Sequence, residues 1–186
     1  EKLAQDMGIS RTPLVSALKF LEQEKLVESL PRRGFFVRLF SIEEMVYIFE
    51  LREVLEGLAA RRAATYITDP QIDQLNTFFS DFDPAADISD FKTYSQEDRR
   101  FHNFVIEVGA KEFLKSILTT TNIISFSYQV VSSEGLVRPP NETMQEHKVV
   151  IDAISQRDAD GAEKFMRQHF QNSAAVLRKL IQTEKE

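Results

Sequence analysis

The chain has 186 residues, of which 42% are hydrophobic, and its formal net charge is −6. This length suits one or two domains, and the hydrophobic fraction is sufficient for a buried core. The sequence contains no cysteine, which excludes a disulfide framework and a thiolate metal site. No apolar run approaches the ~20 residues of a membrane span, and no signal peptide heads the chain. We therefore expect a soluble cytoplasmic protein that has no membrane contact.

The charge is distributed unevenly along the chain. Residues 1–40 carry a net charge of +2, and residues 41–186 carry −8. Because DNA phosphates attract the first segment and repel the second, the distribution favours a nucleic-acid contact near the N-terminus. The acidic remainder is expected to bind something other than nucleic acid.

Residues 3–37 have the pattern of a helix-turn-helix followed by a small wing. Ala4 and Gly8 stand where two helices must approach each other and turn. Ser10 is expected to cap the second helix, because its hydroxyl can accept a hydrogen bond from a first-turn N–H group. One face of that helix is expected to be buried, because leucine recurs there at positions 14, 18 and 21.

The wing consists of two short strands joined by a basic turn. Leu26 and Val27 begin the first strand, residues 31–34 (Pro-Arg-Arg-Gly) form the turn, and residues 35–37 (Phe-Phe-Val) form the second. A helix of this type fits the major groove of DNA, and such a turn can follow the phosphate backbone or the adjacent minor groove.

The remainder of the chain favours an all-α bundle of about six helices, since no strand alternation appears after Val37. Ser41 and Glu44 form a capping-box pattern that starts the first of these helices. Its buried face is expected to consist of Ile48, Leu51, Leu55 and Leu58. The later helices are expected near residues 69–79, 88–108, 112–131, 142–155 and 159–182, with polar connections at 81–90 and 132–141.

The predicted fold class is therefore mainly α. A winged helix-turn-helix, α+β and truncated at its start, is predicted for residues 1–40. An all-helical domain is predicted for residues 41–186.

All three histidines, His102, His147 and His169, fall on the apolar faces of separate predicted helices. Asp98 precedes His102 by four residues, so the two side chains lie on the same face of a helix. A carboxylate on an inward face is costly unless it is paired or coordinates a metal. The four residues fit a divalent ion such as Zn²⁺, Ni²⁺ or Mn²⁺. The alternative is that each histidine is a hydrogen-bonded core residue.

The N-terminal segment resembles the GntR family of bacterial transcription regulators. The matching residues are Leu3-Ala4, Gly8, Ser10-Arg11-Thr12-Pro13, Ala17-Leu18, Leu21-Glu22, Leu26-Val27, Pro31 and Arg33-Gly34. The resemblance implies that Ser10, Arg11 and Thr12 contact DNA from the recognition helix, and that Arg32, Arg33 and Gly34 do so from the wing.

The region from Ser41 onward resembles the FCD effector domain of the FadR-like GntR subfamily. The matching segments are residues 51–56, 98–102, 146–147 and 153–154, together with Ala162, Met166 and His169. In that family an aspartate and three histidines bind a metal ion within the helical bundle, which implies Asp98, His102, His147 and His169 here. The resemblance also implies that Arg52 faces the ligand cavity; the alternative is a surface pair with Glu56.

These observations predict a homodimeric regulator, not an enzyme, which binds operator DNA and responds to a small carboxylate effector. One alternative is a metal-dependent enzyme that uses the Asp/His₃ set, but no His-Glu-x-x-His motif accompanies it. A further alternative is a dedicated metal sensor, for which the ion itself is the signal.

Two features depart from the family pattern. Family DNA-binding domains begin with a further helix, so we expect the natural chain to extend upstream of Glu1. The family also usually has an arginine at the position of Val15. A missing arginine at this position removes a phosphate or base contact, and a bidentate base contact is worth ~1–3 kcal/mol of discrimination.

Overall fold

The computed structural model describes residues 1–83, 88–131 and 136–183. The chain divides into two compact units, Glu1–Phe40 and Ser41–Glu186. The mainly helical class with a small wing, predicted from the sequence, is confirmed. Within the described ranges, no helix is long and apolar enough to cross a membrane.

The first unit is a helix-turn-helix followed by a hairpin. Ala4 is buried, and Gly8 has a φ of +64° in the turn between the two helices, a conformation that glycine adopts without a steric penalty. The two strands are antiparallel, and Leu30 pairs with Gly34 next to the turn. The elements are α1 (Lys2–Asp6), α2 (Arg11–Gln23), β1 (Val27–Leu30) and β2 (Gly34–Val37).

Two expectations for α2 need correction. Ser10 is the N-cap residue by backbone conformation, but its side chain makes no capping hydrogen bond. No residue of α2 is fully buried, and the expected apolar face, made of Leu14, Leu18 and Leu21, is only half-buried. The helix therefore forms where the pattern predicts it, while its apolar face is less covered within this unit than the pattern predicts.

The second unit contains six helices in its described residues, in agreement with the predicted bundle. Helix α3 lies at the centre, because it packs along α8 and also contacts α5, α6 and α7. The capping box between Ser41 and Glu44 is present. The helices are α3 (Ile42–Tyr66), α4 (Asp69–Leu75), α5 (Phe91–Gly109), α6 (Glu112–Val131), α7 (Pro140–Ser155) and α8 (Ala159–Thr183).

The predicted inward face of α3 is wrong. Leu51 and Leu58 are exposed, with 44% and 39% of their surface accessible, and Ile48 and Leu55 are half-buried. The residues that face the core are instead Met45, Phe49, Arg52, Glu56, Ala59, Ala60 and Ala63. A buried pair of charged residues therefore takes positions that a rule based on hydrophobicity assigns to solvent.

Helix α4 also differs from its prediction. It ends at Leu75 instead of near Phe79, and its N-cap is Thr68, whose backbone N–H donates to the side chain of Gln71 at 3.0 Å. The two predicted connections lie partly outside the described residues, at 84–87 and 132–135.

Gly109 lets α5 approach the backbone of α3 closely. A Cβ atom at this position would lie 1.9 Å from the carbonyl oxygen of Ala59 and 2.9 Å from the backbone nitrogen of Ala63. Alanines on this side of α3 provide the matching flat surface. The close approach matters for the site below, because α3 and α5 both contribute to it.

We expect Gly109→Ala to lower the free energy of unfolding by about 1–3 kcal/mol, because helix backbones must separate to admit a methyl group. Gly57→Ala is the matched control, since its Cβ would meet only the flexible side chain of Arg167. Urea denaturation followed by circular dichroism measures both. Equal stability of the two variants would contradict the close packing of α3 against α5.

Candidate metal centre

Three histidines from three helices converge in the core of the second unit. His102 lies on α5, His147 on α7 and His169 on α8. Their exposed fractions are 1%, 0% and 4%. One ring nitrogen from each lies within 4.8 Å of the others, a grouping that is able to hold a metal ion. The sequence therefore brings its only imidazoles to one buried point.

The distances between the polar atoms resemble those around a bound ion. His147 Nε2 lies 3.3 Å from His169 Nε2. The Oδ1 atom of Asp98 lies 3.5 Å from His147 Nε2 and 4.0 Å from His102 Nε2. A tetrahedral ion with bonds of about 2.0–2.1 Å places neighbouring ligand atoms about 3.3–3.4 Å apart. Two of the measured separations, 3.3 and 3.5 Å, are close to that spacing, while the 4.0 Å separation between Asp98 and His102 is longer.

Glu56 on α3 orients His102. Its Oε2 atom lies 2.6 Å from His102 Nδ1, and its Oε1 atom accepts from Arg52 Nε at 2.6 Å. Glu56 is completely buried. Burial by itself raises the pKa of a carboxyl group, but the charges and hydrogen bonds of Arg52 and His102 lower the pKa of Glu56 to about 2. Glu56 is therefore ionised and accepts a hydrogen bond from the Nδ1–H of His102.

Glu146 on α7 has the same role toward His169. Its Oε2 atom lies 2.9 Å from His169 Nδ1. Arg138 donates to both carboxylate oxygens, at 2.6 and 2.8 Å, and Asn172 donates to Oε1 at 2.6 Å. Burial raises the pKa of Glu146, but the bonds from His169 and Arg138 outweigh it and lower this pKa to about 2.

These two carboxylates determine which ring nitrogens face the centre. When Nδ1 of His102 and His169 donates outward, the lone pair of Nε2 points inward, which is the arrangement of metal-binding histidines. Burial lowers the pKa of His147 well below its usual value, and burial also lowers the pKa of His169. These lowered pKa values favour the neutral form of His147 and His169, which is the form that metal ligation requires.

His147 differs from the other two histidines. Among the described residues, its Nδ1 atom is buried without a hydrogen-bond partner. Its ring stacks on Phe79 with a centroid distance of 5.0 Å, which holds its orientation by packing instead. A proton on His147 Nε2 or a cation at the centre can bridge the lone pairs of His169 and Asp98. The donor set, three imidazole nitrogens and one carboxylate, suits a divalent ion of intermediate softness.

A small cavity adjoins the cluster. Its volume is about 20 Å³, which holds about one water-sized group. Arg52 and Arg138 both line it, and the Arg52 guanidinium also lies 4.5 Å from the ring centroid of Phe170. The other lining residues are Phe49, Tyr94, Asp98, His102, Leu136, Val137, Thr143, His169, Phe170 and Ser173.

Sequence reasoning placed Asp98 and the three histidines on inward faces, and the structure brings them together. Arg52 is buried and lines the cavity, so its interpretation as a surface pair is wrong, although Glu56 is indeed its partner. Glu56, Glu146 and Arg138 were missed as parts of the site. A signal for Glu56 was available in its spacing, because it follows Arg52 by four residues on the same helical face.

The predicted DNA-contact residues lie in the first unit, and all are exposed: Ser10, Arg11, Thr12, Arg32, Arg33 and Gly34. Arg11 forms an exposed ion pair with Glu1 at 2.7 Å. In the wing turn, Arg33 N–H donates to Leu30 at 3.0 Å, and Arg32 has a φ of +64°. A left-handed arginine costs about 1–2 kcal/mol relative to a right-handed one, so the turn holds this cation in an unfavourable backbone conformation.

A winged helix-turn-helix unit joined to a helical unit with a buried polar centre defines a class of protein, the two-domain DNA-binding transcription regulators. The model of the gntR family of bacterial regulatory proteins matches residues 1–37, and that of the FCD domain matches residues 47–172. The chain belongs to the GntR family, in the FadR-like subfamily that carries an FCD domain.

Similar proteins support the same classification. The HTH-type transcriptional repressor RspR of Escherichia coli (strain K12) is 26% identical, and the match covers 94% of this chain and 76% of RspR. The Nta operon transcriptional regulator of Aminobacter aminovorans is 25% identical over 97% of this chain and 83% of its own length. The structure of E. coli McbR/YncC has a TM-score of 0.73 at 17% identity, covering 97% of this chain and 85% of its own, and shows the shared fold. These families and relatives are transcription regulators, not enzymes.

Proposed function

We propose that this GntR regulator binds a divalent metal ion through Asp98, His102, His147 and His169, and that a small organic acid binds beside the ion and alters operator affinity. The observation that carries the proposal is the convergence of three buried imidazoles on one point. Neutral nitrogen lone pairs facing one another in a dry core repel unless a proton or a cation lies between them. Zn²⁺, Ni²⁺ and Mn²⁺ are the ions that suit these donors.

The effector is proposed to be a carboxylate because two arginines line the cavity next to the cluster. A guanidinium holds a carboxylate through two parallel hydrogen bonds. Arg52 is already bonded to Glu56, so an effector carboxylate competes with Glu56 for Arg52. Because the cavity holds about one water-sized group, the effector must also widen it. The effector can then change operator affinity by no more than the difference between its own affinities for the closed and the widened arrangements.

The small cavity volume favours a second candidate, a metal sensor. A cavity of about 20 Å³ admits about one water-sized group but no organic acid without rearrangement. In that case the metal occupancy itself determines operator affinity. The two candidates differ in one measurable property, which is whether DNA binding responds to organic acids at constant metal occupancy.

In the DNA-binding unit, we propose that Ser10, Arg11 and Thr12 contact the major groove and that Arg32, Arg33 and Gly34 contact the phosphate backbone or minor groove. The exposure of all six residues supports this assignment. The free hydroxyl of Ser10, which makes no capping bond, is able to donate to a phosphate. A homodimer is proposed to read the two half-sites of a palindrome, since two-fold protein symmetry requires a matching operator.

We expect His147→Ala to abolish stoichiometric metal binding, because it removes the central ligand of the four. Glu56→Gln is expected to weaken metal affinity by about 10–100-fold, since it perturbs the orientation of His102 without removing a ligand. Elemental analysis of the purified protein and competition with a chelator measure both effects. Gln145→Ala, an exposed position on the same helix, is the control and is expected to retain full metal content. Unchanged metal content in His147→Ala would exclude this site.

We expect at least one small organic acid to change the affinity of the metal-loaded protein for DNA from its own promoter. The probes are gluconate, lactate, succinate and benzoate, measured by fluorescence anisotropy. Arg52→Lys is expected to reduce the response at least tenfold in effector concentration, because lysine cannot form two parallel hydrogen bonds. Arg178→Lys, an exposed arginine on α8, serves as the control. A response to metal concentration but to none of the acids would favour the metal sensor.

We expect Val15→Arg to raise affinity for the same promoter DNA, since it restores a cation on an exposed position of α2. Each added phosphate contact is expected to steepen the dependence of log K on log salt by about 0.9. Val149→Arg adds the same charge at a similarly exposed valine of the helical unit and is expected to leave the salt dependence unchanged. If both substitutions act equally, α2 does not enter the DNA contact.

A further inference from the structure

The ring of His147 is supported differently from the rings of the other two histidines. Each of those two has a carboxylate beside its Nδ1 atom, whereas the Nδ1 atom of His147 is buried without a hydrogen-bond partner among the described residues. The His147 ring instead contacts two phenylalanine rings. It stacks on Phe79 with a centroid distance of 5.0 Å and an interplanar angle of 15°, and Phe101 lies 4.9 Å away at 48°. The plane of the His147 ring therefore depends on where the ring of Phe79 lies.

Phe79 has an unusual backbone conformation. It lies four residues after the end of α4, and its φ is +61°. A left-handed conformation costs a residue with a Cβ atom about 1–2 kcal/mol, and it persists only where the surrounding structure enforces it. The side chain of Phe79 is buried in the core, with 1% of its surface exposed. A specific contact is therefore needed to hold the backbone in the conformation that places this ring against His147.

Glu97 on α5 supplies a contact of this kind. Its Oε1 atom accepts from the backbone N–H of Phe79 at 3.3 Å, and its Oε2 atom accepts from Arg100 at 2.7 Å. The N–H groups of Phe78 and Ser80, on either side of Phe79, donate to carbonyl groups three residues earlier in the same segment. The bond to Glu97 instead links the backbone of Phe79 to a different helix.

We propose that Glu97 is a positioning residue of the metal centre and that it orients His147 by holding the backbone of Phe79. Glu97 directly precedes Asp98 on α5. One turn of α5 then provides a ligand and, through Phe79, the support of a second ligand on α7. This support fixes the plane of the imidazole without accepting a hydrogen bond from it. The inference rests on the metal site of the proposed function and adds a residue outside its ligand set.

Glu97→Gln and Glu97→Met isolate the hydrogen bond between Glu97 and Phe79. Both substitutions remove the charge and keep a side chain of similar length, but only glutamine retains an oxygen atom that accepts from the Phe79 N–H. In the metal-free protein, the ring current of Phe79 shifts the ring-proton NMR resonances of His147, which are assigned by their loss in His147→Ala. Glu97→Met is expected to move these resonances toward their positions in Phe79→Leu. Glu97→Gln is expected to leave them close to their wild-type positions.

The same variants are compared in metal affinity, by competition for Zn²⁺ with a chelator. Glu97→Met and Phe79→Leu are each expected to weaken Zn²⁺ binding by about 10-fold or more, as loss of an outer support of a ligand does. Glu97→Gln is expected to bind Zn²⁺ nearly as tightly as the wild type. In the Phe79→Leu background, Glu97→Met is expected to cause little further loss, because its effect passes through the phenyl ring.

Phe78→Leu is the matched control for the loss of a buried phenyl ring. Phe78 is the preceding residue, is 7% exposed, and contacts the rings of Phe101 and Phe104. Its substitution is expected to lower the free energy of unfolding, as that of Phe79 does, but to leave both the His147 resonances and the Zn²⁺ affinity close to wild type. A general loosening of the core would instead change these quantities equally in the two leucine variants.

The outcomes separate this inference from the proposed function. His147 resonances in Glu97→Met that match the wild type would overturn the role of Glu97. An equal loss of Zn²⁺ affinity in Glu97→Met and Glu97→Gln would also overturn it, since the charge of Glu97 and not its hydrogen bond would then be responsible. If the wild-type protein binds no Zn²⁺, the proposed metal centre fails, and the resonances of the metal-free protein still decide whether Glu97 positions His147.

Discussion

The helical unit depends on the pairing of a completely buried carboxylate at the middle of its central helix. Glu56 is accessible to no solvent, and each of its oxygens has a partner: Arg52 on one and His102 on the other. Removing one partner of a buried ion pair costs about 3–5 kcal/mol, because the remaining charge is left without compensation. Glu56 therefore ties α3 to α5 and holds the ring of His102 in the orientation that points Nε2 toward His147 and His169.

The second carboxylate extends the same arrangement to the other side of the cluster. Glu146 accepts from Arg138 and Asn172 and orients His169, so two ionised carboxylates, each neutralised by an arginine, flank the histidines. The centre itself contains three imidazole nitrogens and the carboxylate of Asp98. A divalent cation there would have one carboxylate ligand, Asp98. The carboxylates of Glu56 and Glu146 would bond to the histidines that hold the ion, and their negative charges would favour the cation without binding it directly.

The sequence predicts the ligands much better than it predicts their supports. Asp98 and His102 are separated by four residues, and a helix brings such residues together whatever the tertiary structure is. Glu56 and Glu146 reach the site only through packing between helices, which no local spacing specifies. The same limit explains why the inward face of α3 was predicted incorrectly. Its apolar residues at 48, 51, 55 and 58 suggest an inward row. The buried face instead carries Arg52 and Glu56, together with the small residues Ala59, Ala60 and Ala63.

The exposed row on α3 and the buried pair on its inner face occupy the same turns of one helix. Arg52 lies between the exposed Leu51 and Val54, and its guanidinium is held by Glu56 and by the face of Phe170 on α8. An effector carboxylate of the kind proposed above would compete for this bond, and α3 would then be the element whose contacts with α8 differ between the two arrangements. Coupling between sites requires such an element with two states, whose balance both ligands bias. Because Arg52 lines the cavity from α3, a change in its bonding reaches the packing of α3 on α8 without passing through any other helix.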